Sequence, residues 1–191
     1  MKKYFFILLF VICSTTSLAQ KNIFCLIKTE LGNITVELYP AKAPITVANF
    51  LKYVDAHLYD SSSFFRAVTL NNQPKDSVKI EVIQGGDVDS VKEFAPIFLE
   101  TTKQTGLQHK DGTISMARGK PATATSSFFI CINDQPSLNF EGKRNKDGQG
   151  FAAFGKVVEG MNVVKKIQQL HPEQGQYFKP PVTIISITRL K

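Results

Sequence analysis

At 191 residues, with 43% apolar and 20% charged side chains, the chain is sized for one globular domain and falls outside disordered and membrane-spanning compositions. The net charge of +7 is scattered, and the one basic cluster, Lys143-Arg144-Asn145-Lys146, stands beside Glu141 and Asp147. A solvated loop accounts for it. No nucleic-acid partner is expected, since phosphate tracking needs clustered cations on one face.

Residues 1–19 stand apart. Lys2 and Lys3 precede an apolar run from Tyr4 to Ile12, which ends in a small polar stretch and Ser17-Leu18-Ala19. A basic start, a short apolar run and a small-x-Ala end describe a secretory signal peptide. The run is about half of the roughly 20 residues needed to span a bilayer. Cleavage after Ala19 would leave a domain of residues 20–191 with no stable membrane insertion, and would lower the charge to +5 by removing both lysines. Ile12 occupies the place where a lipid-modification signal carries a small residue, so no lipid is expected on Cys13. The address is exported, periplasmic first and extracellular as the alternative. Cys25 and Cys131 lie in apolar, strand-like runs. Buried thiols are their default, and a disulfide stays open because an oxidising compartment permits one.

From Ile23 the pattern predicts two strands, Ile23–Thr29 and Ile34–Leu38, joined by Gly32-Asn33. Pro44 suits a first helical turn. Val47, Leu51, Val54 and Leu58 follow at helical spacing, which predicts a helix of about four turns. Short strands are predicted at Phe64–Val68, Ile80–Gln84, Thr113–Met116, Phe128–Ile132, Ala152–Val158 and Val182–Arg189. A second helix follows Gly160, with Val163, Val164, Ile167 and Leu170 as its stripe. Many short strands with two helices imply a closed or nearly closed β-barrel.

Two polar residues sit where strand logic would not put them. Arg66 is embedded in Phe64-Phe65-Arg66-Ala67-Val68, and Gln84 ends Ile80-Glu81-Val82-Ile83-Gln84 before Gly85-Gly86-Asp87. A guanidinium against apolar surface needs partners. If the two strands are neighbours, the Gln84 carbonyl could hold the fork in one orientation. Taken singly, Arg66 reads as a snorkelling strand residue and the downstream phenylalanines as core.

Order and spacing change that reading. Phe64-Phe65-Arg66, Gln84-Gly85-Gly86-Asp87, Ser115-Met116-Ala117, Ser126-Ser127-Phe128-Phe129-Ile130 and Phe154-Gly155-Lys156-Val157-Val158-Glu159-Gly160-Met161 together resemble the cyclophilin family. Gly32–Leu38 and the helix bearing Ala48-Asn49-Phe50 extend the resemblance over nearly all of residues 20–191. The resemblance implies an eight-stranded antiparallel closed barrel capped by two α-helices, and peptidyl-prolyl cis-trans isomerase activity on proline-containing segments; with the leader, the clients are expected to be exported proteins. It implies catalytic roles for Arg66, for Gln84 as its orienting partner, and for Phe129 in the proline pocket with Leu138 and Phe151. Val82, Ala117, Arg118 and Ser127 fall at substrate-binding positions. No cofactor and no metal is implied, and a monomer is expected.

Three departures from the family pattern bear on the site. About ten extra residues, roughly Thr69 to Lys79, should form a polar surface loop near the groove. Glu81 and Val82 replace a usual Phe-Met, and Leu70 is a candidate to fill the missing wall. Ser127 replaces a usual glutamine. Ser137 stands where cyclosporin-sensitive members carry tryptophan, which implies weak inhibition by cyclosporin. The rival reading is a binding or chaperone module on the same barrel, favoured by Glu81 and Ser127. A hydrolase or metal enzyme is disfavoured: His57, His109 and His171 show no ligand spacing, and no Gly-x-Ser-x-Gly or His-Glu-x-x-His occurs.

Overall fold

A computed structural model describes residues 21–170 and 175–190, so the predicted leader and His171 lie outside the described residues. Eight strands run β1 Ile23–Thr29, β2 Gly32–Leu38, β3 Ser63–Val68, β4 Val82–Gly85, β5 Thr113–Met116, β6 Phe128–Cys131, β7 Ala152–Glu159 and β8 Tyr177–Arg189. They close into a barrel in the order β1-β2-β7-β5-β6-β4-β3-β8, every neighbouring pair antiparallel. The seam is β1 against β8, with Cys25 opposite Arg189.

Two helices cover the barrel ends as predicted. Helix α1, Pro44–Asp55, packs beside the end where β2 finishes, and Asp55 pairs with Arg189 of β8. Its N-cap residue Ala43 offers no side-chain acceptor, so the Glu100 carboxylate takes the orphan N–H groups of Ile45 and Thr46 at 3.1 and 2.8 Å. The helix stops at Asp55, one turn short of the prediction. His57 adopts φ +54°, and Leu58 packs on the core from the turn beyond it. Helix α3, Met161–Gln169, covers the opposite end, where Val163 lies against Gly32 of the β1–β2 turn. A third helix, the single turn α2 at Thr102–Thr105, was not predicted. It carries a reciprocal capping box between Thr101 and Gln104, a sequence signal that could have located it.

The strand alternation divides two apolar bodies. Phe128 and Ile130 of β6 face the barrel interior with Phe64, Ile83, Ile114 and Phe154, whereas Phe129 and Cys131 face outward into a smaller cluster with Val68, Ile80, Val82 and Leu138. Phe50 of α1 anchors the interior, its ring 5.3 Å from Tyr59 and Phe154 and 5.5 Å from Phe128. Cys25 and Cys131 are both buried free thiols on non-adjacent strands. Burial pushes the Cys25 thiol up to about 12, against the pull of Arg189, and raises Cys131 as well.

Strand β8 begins five residues before its predicted start. At Pro180-Pro181 the register between β3 and β8 shifts, from Phe64 opposite Val182 to Arg66 opposite Tyr177. Prolines are tolerated at such an irregularity because the ladder needs no N–H from them.

Candidate active site

Sequence alternation alone would put Arg66 on the same face as Phe64, inside the barrel. A bulge in β3 prevents this. Phe64 pairs with Gly85 and Arg66 with Gln84, so Phe65 is the extra residue. A bulge re-aims the side chains that follow it, and here it turns Arg66 onto the outer face of the wall. Gly85 makes the close approach possible, since a Cβ there would sit 2.7 Å from the Phe64 ring.

Once outside, the Arg66 guanidinium is held on two sides by neutral amides. Nη1 donates to Gln84 Oε1 at 2.9 Å, as the sequence suggested for neighbouring strands. Nε and Nη2 donate to Gln176 Oε1 at 3.0 and 2.6 Å. Gln176 was not predicted, and nothing in its polar surroundings marks it. Its own Nε2 donates to the main-chain oxygen of Asn72, so the 69–79 insertion buttresses the arginine through it. Tyr177 lies under the guanidinium, 5.9 Å from ring centroid to Cζ. Burial pulls the Arg66 pKa below its ordinary value, opposed by Tyr177 and assisted by the charge of Arg144. A guanidinium starts so high that it remains a cation.

Arg66 and Gln84 open onto a cavity of about 210 Å³, smaller than the ~300–1,000 Å³ pockets that take drug-sized ligands. Val82, Phe129, Leu138, Phe151 and Ala117 supply its apolar wall. Phe129 is only 5% exposed and meets Phe151 edge to face at 5.3 Å. Behind it, His109 stacks on the Phe129 ring at 5.9 Å. The His109 Nδ1–H donates to Asn139 Oδ1 at 2.8 Å, which leaves Nε2 to accept from the Ser115 hydroxyl at 3.0 Å. Burial drives the His109 pKa down to about 4, partly offset by Asn139, so the ring is neutral. As an isolated histidine it carried no motif, and it was missed.

The remaining predicted residues fall as follows. Arg118 lines the cavity with its face against Phe151, but its N–H groups go elsewhere: Nε and Nη2 to the Gly150 carbonyl, Nη1 to the Gly119 carbonyl, and Nη1 and Nη2 to Asp147. Ser127 is not among the lining residues; its carbonyl accepts the Ala117 N–H at 2.8 Å, tying β6 to the end of β5. Leu70 does not fill the wall. It is 49% exposed on the insertion, and Ile80 takes the position instead. Glu81 turns outward to accept from Asn133 Nδ2 at 2.9 Å. The insertion is well tied: Gln73, 1% exposed, bridges the carbonyls of Thr69 and Ile80. No group of three or more His, Cys, Asp or Glu among the described residues is placed to hold a metal.

Comparison with known proteins agrees with the fold. The family model described as cyclophilin type peptidyl-prolyl cis-trans isomerase/CLD matches residues 24–189. A peptidyl-prolyl cis-trans isomerase of Acinetobacter baylyi is 38% identical over 178 residues, covering 88% of this chain and 86% of the relative. Peptidyl-prolyl cis-trans isomerase A of Dickeya dadantii is 37% identical, covering 87% of this chain and 82% of its own. A crystal structure of a Cryptosporidium parvum cyclophilin type isomerase shares the fold, with a TM-score of 0.69 at 21% identity, over 90% of this chain and 99% of that one. A second structure of that protein, determined in the presence of the dipeptide Ala-Pro, superposes with a TM-score of 0.67 at 22% identity, over 88% and 99% of the two chains. The chain therefore belongs to the cyclophilin family of peptidyl-prolyl cis-trans isomerases.

Proposed function

We propose that this isomerase turns Xaa-Pro bonds in the groove between Arg66 and Phe129, and that it does so on exported proteins. The observation that carries the first part is the doubly held guanidinium facing an apolar notch. Rotation about a peptide bond must break C–N resonance, a barrier of roughly 18–20 kcal/mol. The two Xaa-Pro isomers differ by only about 0.5–1 kcal/mol, so the task is kinetic. In the twisted state the proline nitrogen becomes pyramidal and regains a lone pair that the planar amide lacks. A donor aimed at that nitrogen binds the twisted state more strongly than either ground state, which is the condition for acceleration.

Arg66 meets that condition. Of its five N–H groups three are engaged by Gln84 and Gln176, leaving one on Nη1 and one on Nη2 for the substrate. Because the fork is already fixed, little reorganisation accompanies the twist. Phe129, Leu138 and Phe151 grip the ring while the preceding carbonyl swings, with Val82 and Ala117 as flanking surface. The step needs no nucleophile and no change of protonation.

The export reading rests on Lys2, Lys3, the Tyr4–Ile12 run and Ala19, with residues 20–191 as the working domain in the periplasm or outside the cell. The test of mechanism is an exchange measurement on a short Xaa-Pro peptide, comparing purified protein with Arg66→Ala. Equal acceleration by both would end the assignment of Arg66. Detection of an uncleaved, cytoplasmic product would end the export reading.

A further inference from the structure

We propose that the groove carries, on the β4 side of the proline notch, an anion subsite formed by Arg144 and Asn145, which selects substrates bearing aspartate or glutamate close to the proline. The inference rests on the reading of the notch as the proline site, and adds which flanking residues that site prefers.

Arg144 sits in the loop between β6 and β7 and lines the same cavity as Arg66. Its main-chain N–H bonds the Ser137 carbonyl at 3.1 Å, which fixes the base of the side chain. Its side-chain hydrogen bonds among the described residues use Nη1, to the Val78 carbonyl at 2.7 Å and Gln73 Oε1 at 3.2 Å, and Asp76 Oδ2 lies 3.2 Å from the same nitrogen. Nε and Nη2 have no acceptor among the described residues, so three N–H groups of a fork that suits a carboxylate are left over. Next to it, the Asn145 Nδ2 is buried with no hydrogen-bond partner among the described residues, yet Asn145 lines the cavity. A buried amide left unpaired is costly, and a peptide laid in the groove would supply the missing partner.

The charges point the same way. Among the described residues no acidic side chain lines the cavity. Arg118 is matched by both oxygens of Asp147 and its N–H groups are taken, while the hydrogen bonds of Arg66 among the described residues go to neutral amides. Asp76 stands 3.2 Å from Arg144 Nη1 and its side chain is 42% exposed, so a substrate carboxylate competes with it on good terms. Position follows from strand order. Ala117 follows β5, Phe129 is on β6 and Val82 on β4, so Arg144, tied to Val78 just before β4, lies across Phe129 from Ala117. A peptide crossing the notch passes Arg144 on one side only.

The test uses matched peptides carrying Glu, Gln or Lys at each of two positions before and after proline, with kcat/KM read by exchange at low salt. Glu should exceed Gln by about fivefold at one position or more, Lys should fall below Gln, and the preference should fade in about 1 M salt. In Arg144→Gln the Glu-to-Gln ratio should fall to about one, and in Asp76→Asn it should rise as the competing carboxylate is removed. An anchoring role alone would lower all peptides in proportion and leave the ratio intact; that result overturns the subsite, as does a wild-type ratio of one at every position. Titrating the same peptides by NMR shift reads the preference without turnover. Arg144-dependent binding of Glu peptides by an inactive enzyme would retire the catalytic reading alone, whereas full turnover without preference would retire the subsite alone.

Discussion

Phe128 and Phe129 are neighbours on one strand and both nearly fully buried, yet they belong to different bodies of the molecule. Phe128 meets Phe50, Tyr59 and Phe64 edge-on inside the barrel, in a body packed mainly by apolar side chains. Phe129 stands between His109 and Phe151, in a shell whose rigidity comes from polar links: His109 to Asn139 and Ser115 behind it, Arg66 to Gln84 and Gln176 beside it. The inner face holds the wall together, and the outer face uses that wall as a bench for a charge. Stability and chemistry are therefore separable by which way a strand residue points.

Four measurements break or sharpen this contrast. The largest effect should come from Phe128→Ala, which removes the interior ring and should cost about 3–5 kcal/mol in denaturant unfolding; Phe129→Ala should cost clearly less and act mainly on KM. The reverse order would erase the distinction. Arg66→Ala should lower kcat/KM by about 10²–10³-fold, the loss typical of a fixed donor aimed at a transition state, with the unfolding midpoint scarcely moved.

The third concerns acid. Folded His109 titrates near 4, against an ordinary 6.5, so below about 6.5 the unfolded chain takes up a proton that the folded chain refuses. Stability should be full above pH 6.5 and fall by roughly 3 kcal/mol as pH drops toward 4, a loss that His109→Asn should not show. A flat wild-type profile over that window would place His109 in a wetter setting. The smallest effect should be that of Gln176→Ala, about tenfold in kcat. In an Arg66→Ala background it should add nothing, because both act through one guanidinium.

Much of this arrangement was legible in residue order, and the exceptions have physical causes. The eight strands and two principal helices follow from alternation and helical spacing, which local sequence sets directly. Arg66 beside Gln84 was inferable because a buried cation demands an acceptor and the two runs read as strands. The bulge at Phe65 was not, since an extra residue in one strand is visible only against its partner. Gln176 and Asn72 act through contacts across 104 residues of chain, beyond the reach of any local pattern. Leu70 was the wrong wall residue because hydrophobicity says nothing about which side of a loop turns inward. Gln73, pinned at 1% exposure, decided that.

The seam between β1 and β8 has a consequence for how the protein folds. The strand that starts the barrel is completed only by the one that ends it, with Cys25 beside Arg189. On folding, the first strand must find its second neighbour at the far end of the chain, and such long-range pairings slow folding. Strand β8 pairs with β3 through Arg66 opposite Tyr177, so the last strand must be in place before the Arg66 side chain has its final neighbours. A chain truncated before Gln176 should carry the motifs of an isomerase and none of its activity.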